Sequence, residues 1–218
     1  HICFNSPCPT WADIAMVQWL IDGAAIMNQK TLADGAYGPY VRTMNRINME
    51  EAFHFKSGED MVLTLMSGTK GQKAMTQEAF DRWWPIALAF FGPADKPNCE
   101  ALPPMKWRLK IERNDSLRRR FVNRFAPAAI DLGLIINVVT KNEQGFVTSA
   151  TPDEAIVLDE STGDWSFTQP DWDEFWRVIR GNGPCNAQRL SLRRFSYDQG
   201  AWVRRAIGDG AVATPPAA

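Results

Sequence analysis

The chain has little histidine: only His1 and His54 in 218 residues. A site that needs imidazole therefore has almost nothing to choose from. Its four cysteines (Cys3, Cys8, Cys99 and Cys185) are scattered, and the spacing of Cys3 and Cys8 is not that of a zinc knuckle. They read as free thiols of a reducing compartment, which makes the expected location cytoplasmic. Excess charge is also absent. Lys and Arg total 24 against 25 Asp and Glu, for a net charge of −1, so no general basic field exists to bind nucleic acid. An anionic ligand would have to meet a local cluster. No apolar run is long enough to span a bilayer, and His1-Ile2-Cys3-Phe4 has neither the charged nor the apolar region of a secretory signal. The chain opens without Met, as a processed or partial chain would, and no internal repeat is visible.

Large aromatics, by contrast, are abundant. Nine Trp and twelve Phe supply much buried area per residue. The pattern is mainly helical. Thr10 has the N-cap residue type, and Asp13 three positions on makes a variant capping box. Ile14, Val17, Ile21 and Ile26 follow at helical spacing, predicting a helix to about Thr31. A second helix starts near Pro39, with Met44, Ile47, Glu51, His54, Met61 and Leu65 on its inner face, and ends at Gly68. A third runs from about Gly71 to Phe91, with Pro85 inside it. Further helices are predicted over about 115–131, 171–180 and 186–207. The stretch 139–167 has no helical period and reads as irregular, with a short hairpin near Ser161-Thr162-Gly163-Asp164. Residues 1–135 read as a partial helical bundle, 136–207 as an extension packing on that bundle or on a partner, and 208–218 as a disordered tail.

Glu51-Ala52-Phe53-His54 places a carboxylate and an imidazole three residues apart, hence on one helix face. Bundles that hold two metals use this spacing, although from the motif alone a surface Glu–His pair is the better reading. Asp22 adds weight. It sits one turn after Gln18 and one before Ile26, beside an apolar stripe. A carboxylate there calls for a partner or a metal; a cap or a bond to a neighbouring helix is the competing reading. Carboxylate and imidazole ligands together suit iron or manganese. Such a site takes ligands from four helices and this chain offers two, so an N-terminally truncated chain is expected. Lys106-Trp107-Arg108-Leu109-Lys110, followed by Arg113, is the densest basic patch outside a helix. It suits phosphate groups or simply a solvated loop. Arg118-Arg119-Arg120 reads as helix surface. Gly58, one turn after His54, would let another helix or a ligand approach closely.

Several stretches carry a broader likeness. They are Trp11-Ala12-Asp13-Ile14, Ile21-Asp22-Gly23-Ala24-Ala25-Ile26-Met27-Asn28-Gln29, Tyr37-Gly38-Pro39-Tyr40 and Glu50-Glu51-Ala52-Phe53-His54. The likeness continues through Arg82-Trp83-Trp84-Pro85, Phe91-Gly92-Pro93, Trp107-Arg108-Leu109-Lys110, Asn114-Asp115-Ser116-Leu117-Arg118 and Asp171-Trp172-Asp173-Glu174-Phe175. It resumes at Cys185-Asn186-Ala187-Gln188-Arg189-Leu190. In order and spacing, nearly all of residues 4–207 resembles the catalytic subunits of bacterial phenylacetyl-CoA epoxidases, which are ferritin-like di-iron monooxygenases.

The resemblance implies an all-α, ferritin-like bundle that activates dioxygen at a di-iron centre and epoxidises the ring of an aryl-acyl-CoA in phenylacetate degradation. By that likeness Asp22, Glu51 and His54 are iron ligands, and Lys110 and Arg108 match CoA-phosphate contacts. Two partners are implied as well: a non-catalytic ferritin-like chain, and a separate flavin and iron–sulfur reductase, since this chain has no motif for either redox group. Two departures stand out. The family's preceding segment, with its own Glu and Glu-x-x-His, is absent, so this chain alone is expected to be inactive; and residues 138–160 diverge. The alternatives are a non-catalytic scaffold subunit of such a complex, or an epoxidase of a related ester such as benzoyl-CoA. Joint retention of Asp22, Glu51 and His54 speaks against the scaffold.

Overall fold

Thr10 starts the first helix in the way its residue type requires. Its side chain accepts from the Asp13 amide at 3.3 Å, and the Asp13 carboxylate accepts from the Thr10 backbone N–H at 2.9 Å. A cap of this kind contributes about 1 kcal/mol. Asp13 does more than cap, because it is fully buried. Its other oxygen accepts from Arg82 Nη2 at 2.8 Å and from the Trp83 indole N–H at 3.0 Å. One carboxylate thereby joins the first helix to a helix seventy residues later. Although burial by itself raises a carboxylate's pKa, the donors from Thr10, Arg82 and Trp83 hold Asp13 below the usual carboxylate range.

The computed structural model describes residues 2–136, 138–141, 156–159, 161, 164–167, 172–177, 180 and 186–201. The bundle consists of α1 (Trp11–Met16), which continues through a π-helical turn (Val17–Ile21) into α2 (Asp22–Ala33), then α3 (Gly38–Met66) and α4 (Lys70–Ala89). After a one-turn α5 (Pro103–Lys106), α6 (Asn114–Asp131) completes it. Pro39 stands in the first turn of α3, where its missing N–H costs nothing. Thr69 and Gln72 cap α4 reciprocally. Apolar faces of α1, the π turn, α2, α4 and α6 form the core, with Trp19, Trp83, Phe121 and Phe125 almost wholly enclosed. Phe121 stacks on Phe125 with ring centroids 4.4 Å apart, and Phe125 meets Trp19 and Phe55 edge-on at 5.6 and 5.9 Å.

The helical class of the bundle is as the sequence predicts, with two differences beyond it. The expected hairpin forms, with β2 (Ile156–Asp159) antiparallel to β3 (Asp164–Phe167) and Asp159 opposite Asp164. A third strand, β1 (Val138–Lys141), pairs parallel to β2 where irregular chain is expected. Two short helices, α7 (Trp172–Arg177) and α8 (Asn186–Gln199), follow; the tail 208–218 and Cys185 lie outside the described residues. The second difference is Arg118. The triple-Arg run reads as helix surface, yet Arg118 is fully buried. Its guanidinium donates to the Leu88 carbonyl at 3.1 Å, to the Gly92 carbonyl and to Asp115 Oδ1 at 2.6 Å. These are carbonyls that the end of α4 leaves without helical donors. The side chain is thus drawn inward by a need for donors that local sequence does not display.

Candidate metal centre

The site lies where the π turn passes into α2. The Asp22 N–H donates to the Val17 carbonyl, five residues back, which marks the widened turn. A π turn adds one residue to the helix and so rotates everything after it; such turns are frequent at functional sites. Here it ends at Asp22.

α3 crosses this turn very closely. A Cβ built on Gly58 would lie 2.5 Å from Trp19 N and 2.7 Å from both Gln18 C and Gln18 Cβ. Only glycine fits. On the other flank, a Cβ on Gly23 would lie 2.4 Å from the Phe125 ring. The turn that leads into Asp22 is therefore held between α3 and α6, with a glycine at each contact. Gln18 and Trp19 meet Gly58, while Asp22 meets Glu51 and His54, so the two helices run antiparallel.

Asp22, Glu51 and His54 converge. Each offers one ligand atom, and these atoms all lie within 4.8 Å of one another. His54 Nδ1 is 3.5 Å from Glu51 Oε2. Asp22 is half-buried; burial, with the neighbouring Glu51 charge, pushes its carboxyl up to about 7, against a smaller opposing effect of His54. Two carboxylates packed this tightly repel one another unless a cation or protons join them. Hard oxygen and borderline nitrogen donors fit iron or manganese, and a bound cation would return Asp22 to its ionised form.

The basic loop is arranged differently. Lys110 is half-buried and bonds Asn114 Oδ1; burial lowers its pKa. Arg108 is exposed, and its backbone adopts a left-handed φ of 55°. Its carbonyl accepts from the Ala36 N–H at 2.8 Å, tying the loop to the α2–α3 turn. The N-terminus of α6, which the loop approaches, is already occupied. Asp95 accepts from the Asn114 and Asp115 amides at 3.1 and 2.8 Å. A phosphate here would be met by side chains rather than by free helix amides.

Comparison with known proteins places the chain in a family. Residues 1–202 match the model of the family described as phenylacetic acid catabolic protein. The chain belongs to that family. Over 203 residues it is 40% identical to one of the subunits of the 1,2-phenylacetyl-CoA epoxidase of Escherichia coli (strain K12), a match covering 93% of this chain and 61% of the relative. The chain thus spans less than two thirds of that relative's length. No helix among the described residues is long and apolar enough to cross a membrane.

Sequence reasoning overlooked Gln18 and Asn48 near the centre. Gln18 Oε1 and Asn48 Oδ1 are both shielded from solvent. The signal was available: Gln18 precedes Asp22 by four residues and Asn48 precedes Glu51 by three, the spacings that share a helix face.

Proposed function

We propose that this chain carries part of the di-iron centre of an aryl-acyl-CoA ring epoxidase, with Asp22, Glu51 and His54 as metal ligands. The observation that carries the reading is their convergence within 4.8 Å in a member of the phenylacetic acid catabolic protein family. Iron bound there would supply reductive dioxygen chemistry, one oxygen atom going to the aromatic ring and the other leaving as water. The chain's own residues do the positioning. The π turn and Gly58 fix Asp22 against α3, and helical spacing fixes Glu51 and His54 on one face. In the absence of a cation, the Asp22 carboxyl can hold a proton near neutral pH.

A groove of about 500 Å³ runs along α3 beyond the ligand triad, with Trp11, Phe53, Met61 and Leu65 as its apolar walls and Lys56 and Asp60 among its polar ones. It offers an apolar surface from which an aromatic ring would exclude water. Lys110 and Arg108 would contact the phosphates of the CoA handle through charge-assisted bonds. The E. coli relative is one of several chains of its epoxidase by name, which supports a multisubunit enzyme. In it, a non-catalytic ferritin-like chain and a flavin and iron–sulfur reductase would act beside this one, in the cytoplasm.

The test is iron analysis and turnover of the full-length protein and its His54→Ala variant. The expected result is about two iron ions per wild-type chain, with loss of both iron and epoxide formation in the variant. Normal iron and normal epoxide in His54→Ala would overturn the assignment.

A further inference from the structure

Four buried side-chain polar atoms lack a hydrogen-bond partner among the described residues: Gln18 Oε1, Gln29 Oε1, Asn48 Oδ1 and Trp84 Nε1. Gln18 lies on the π turn, Gln29 on α2 and Asn48 on α3, at helical spacings from Asp22 and Glu51. An amide oxygen shielded from water and from donors destabilises a fold. Such an oxygen is an acceptor left for a donor that a bound metal would bring into place.

Gln18 has the clearest geometry. It stands opposite Gly58, its Cβ only 2.7 Å from where a Gly58 Cβ would be. The Gln18 side chain therefore enters the layer that a residue at position 58 would otherwise fill. Position 58 is one turn from His54 on the same face of α3, a separation of about 6 Å between Cβ positions. A glutamine and an imidazole together span that gap. Gln18 also precedes Asp22 by four residues, so it lies directly beneath the ligand layer on its own helix.

An imidazole that ligates a metal through one nitrogen donates its other ring N–H to an acceptor, which fixes its orientation and tautomer. Among the described residues the only ion-pair contact of His54 is with Glu51, through Nδ1. We infer that Gln18 is a positioning residue for the centre: its amide oxygen, which has no donor among the described residues, takes the remaining ring N–H of His54 when a bound metal orients the imidazole. This rests on the di-iron reading above. It also explains why glycine occupies position 58, since any side chain there would displace Gln18 as well as strike the π turn.

The experiment uses the full-length protein and cobalt(II) as the probe metal. Wild type, Gln18→Met, Gln18→Glu and His54→Ala are compared by cobalt titration and by melting of the metal-free form. Gln18→Met keeps the length of the side chain and removes the acceptor. It should weaken cobalt binding about 10- to 100-fold while leaving the metal-free melting temperature equal or higher, because an unpartnered buried oxygen is gone. Gln18→Glu, which keeps an acceptor, should bind more tightly than Gln18→Met. A packing role predicts the reverse pattern, with melting temperature and affinity falling together in Gln18→Met, and that result would overturn the inference. So would unchanged cobalt affinity in Gln18→Met when His54→Ala loses cobalt. Retention of cobalt by His54→Ala would instead defeat the di-iron reading itself.

Discussion

Adding one methyl group at Gly58 tests the close crossing on which the proposed metal centre depends. In an exposed helix interior, Gly→Ala stabilises by about 1 kcal/mol through lower backbone entropy. At Gly58 the new Cβ would sit 2.5 Å from Trp19 N, about 1 Å inside ordinary contact. The struck atoms include backbone on the π turn, and Trp19 is itself locked in the core against Phe125. Neither side can yield cheaply. Overpacking of this kind costs about 1–3 kcal/mol, and contact with backbone places it at the upper end. The net effect is a loss of about 2 kcal/mol, or about 4–8 °C in melting temperature for a domain of this size. Because α3 must move away from the π turn, Asp22 also separates from Glu51 and His54, and metal affinity should fall in parallel. Gly71→Ala is the control, since a Cβ there meets nothing nearer than Thr69 Oγ1 at 4.0 Å; it should be neutral or stabilising. Circular-dichroism melting with metal titration checks both. A Gly58→Ala protein that melts no lower than wild type, with unchanged metal affinity, would refute the reasoning.

Asp13→Asn should destabilise by about 2 kcal/mol at neutral pH, the size of hydrogen bonds to a charged group. Because the folded Asp13 pKa is depressed, its contribution is present above the ordinary carboxylate range and is lost as pH falls through the lower folded value. The gap in melting temperature between wild type and Asp13→Asn should therefore narrow as pH falls below the ordinary carboxylate range, and a gap that stays constant on acidification would contradict this. Lys110→Glu in the full-length protein should weaken acyl-CoA binding at least about tenfold, more at low salt than at high, without changing iron content. Unaltered CoA-ester affinity would return Lys110 to its structural bond with Asn114.

What the sequence displays and what it hides divide along a physical line. The Thr10–Asp13 cap, the start of α3 at Pro39 and the Glu51–His54 spacing are local and periodic, and one chain segment suffices to read them. Asp22 announced itself as a carboxylate beside an apolar stripe. The π turn did not, because a single extra residue shifts helical phase without breaking the apolar pattern. Arg118 was misread for a related reason: its partners, the Leu88 and Gly92 carbonyls, belong to another helix end, and a run of three arginines looks the same whether one points inward or none does. Gly58 was legible as a place of close approach, but the identity of its neighbour was not. The Asp95 cap on α6 is equally non-local.

The two glycines beside the turn that leads into Asp22 have a consequence for side-chain length. Where helices nearly touch, a side chain directed into the gap between them must be short, and Asp at position 22 is shorter than Glu at position 51. Redesign of the proposed centre for another metal would therefore be constrained unequally. Positions 51 and 54 can trade donor types within their own reach, but a longer donor at position 22 requires the helices to be spread first, by a compensating change at position 58. The pair behaves as one unit of variation, although thirty-five residues of chain lie between its members.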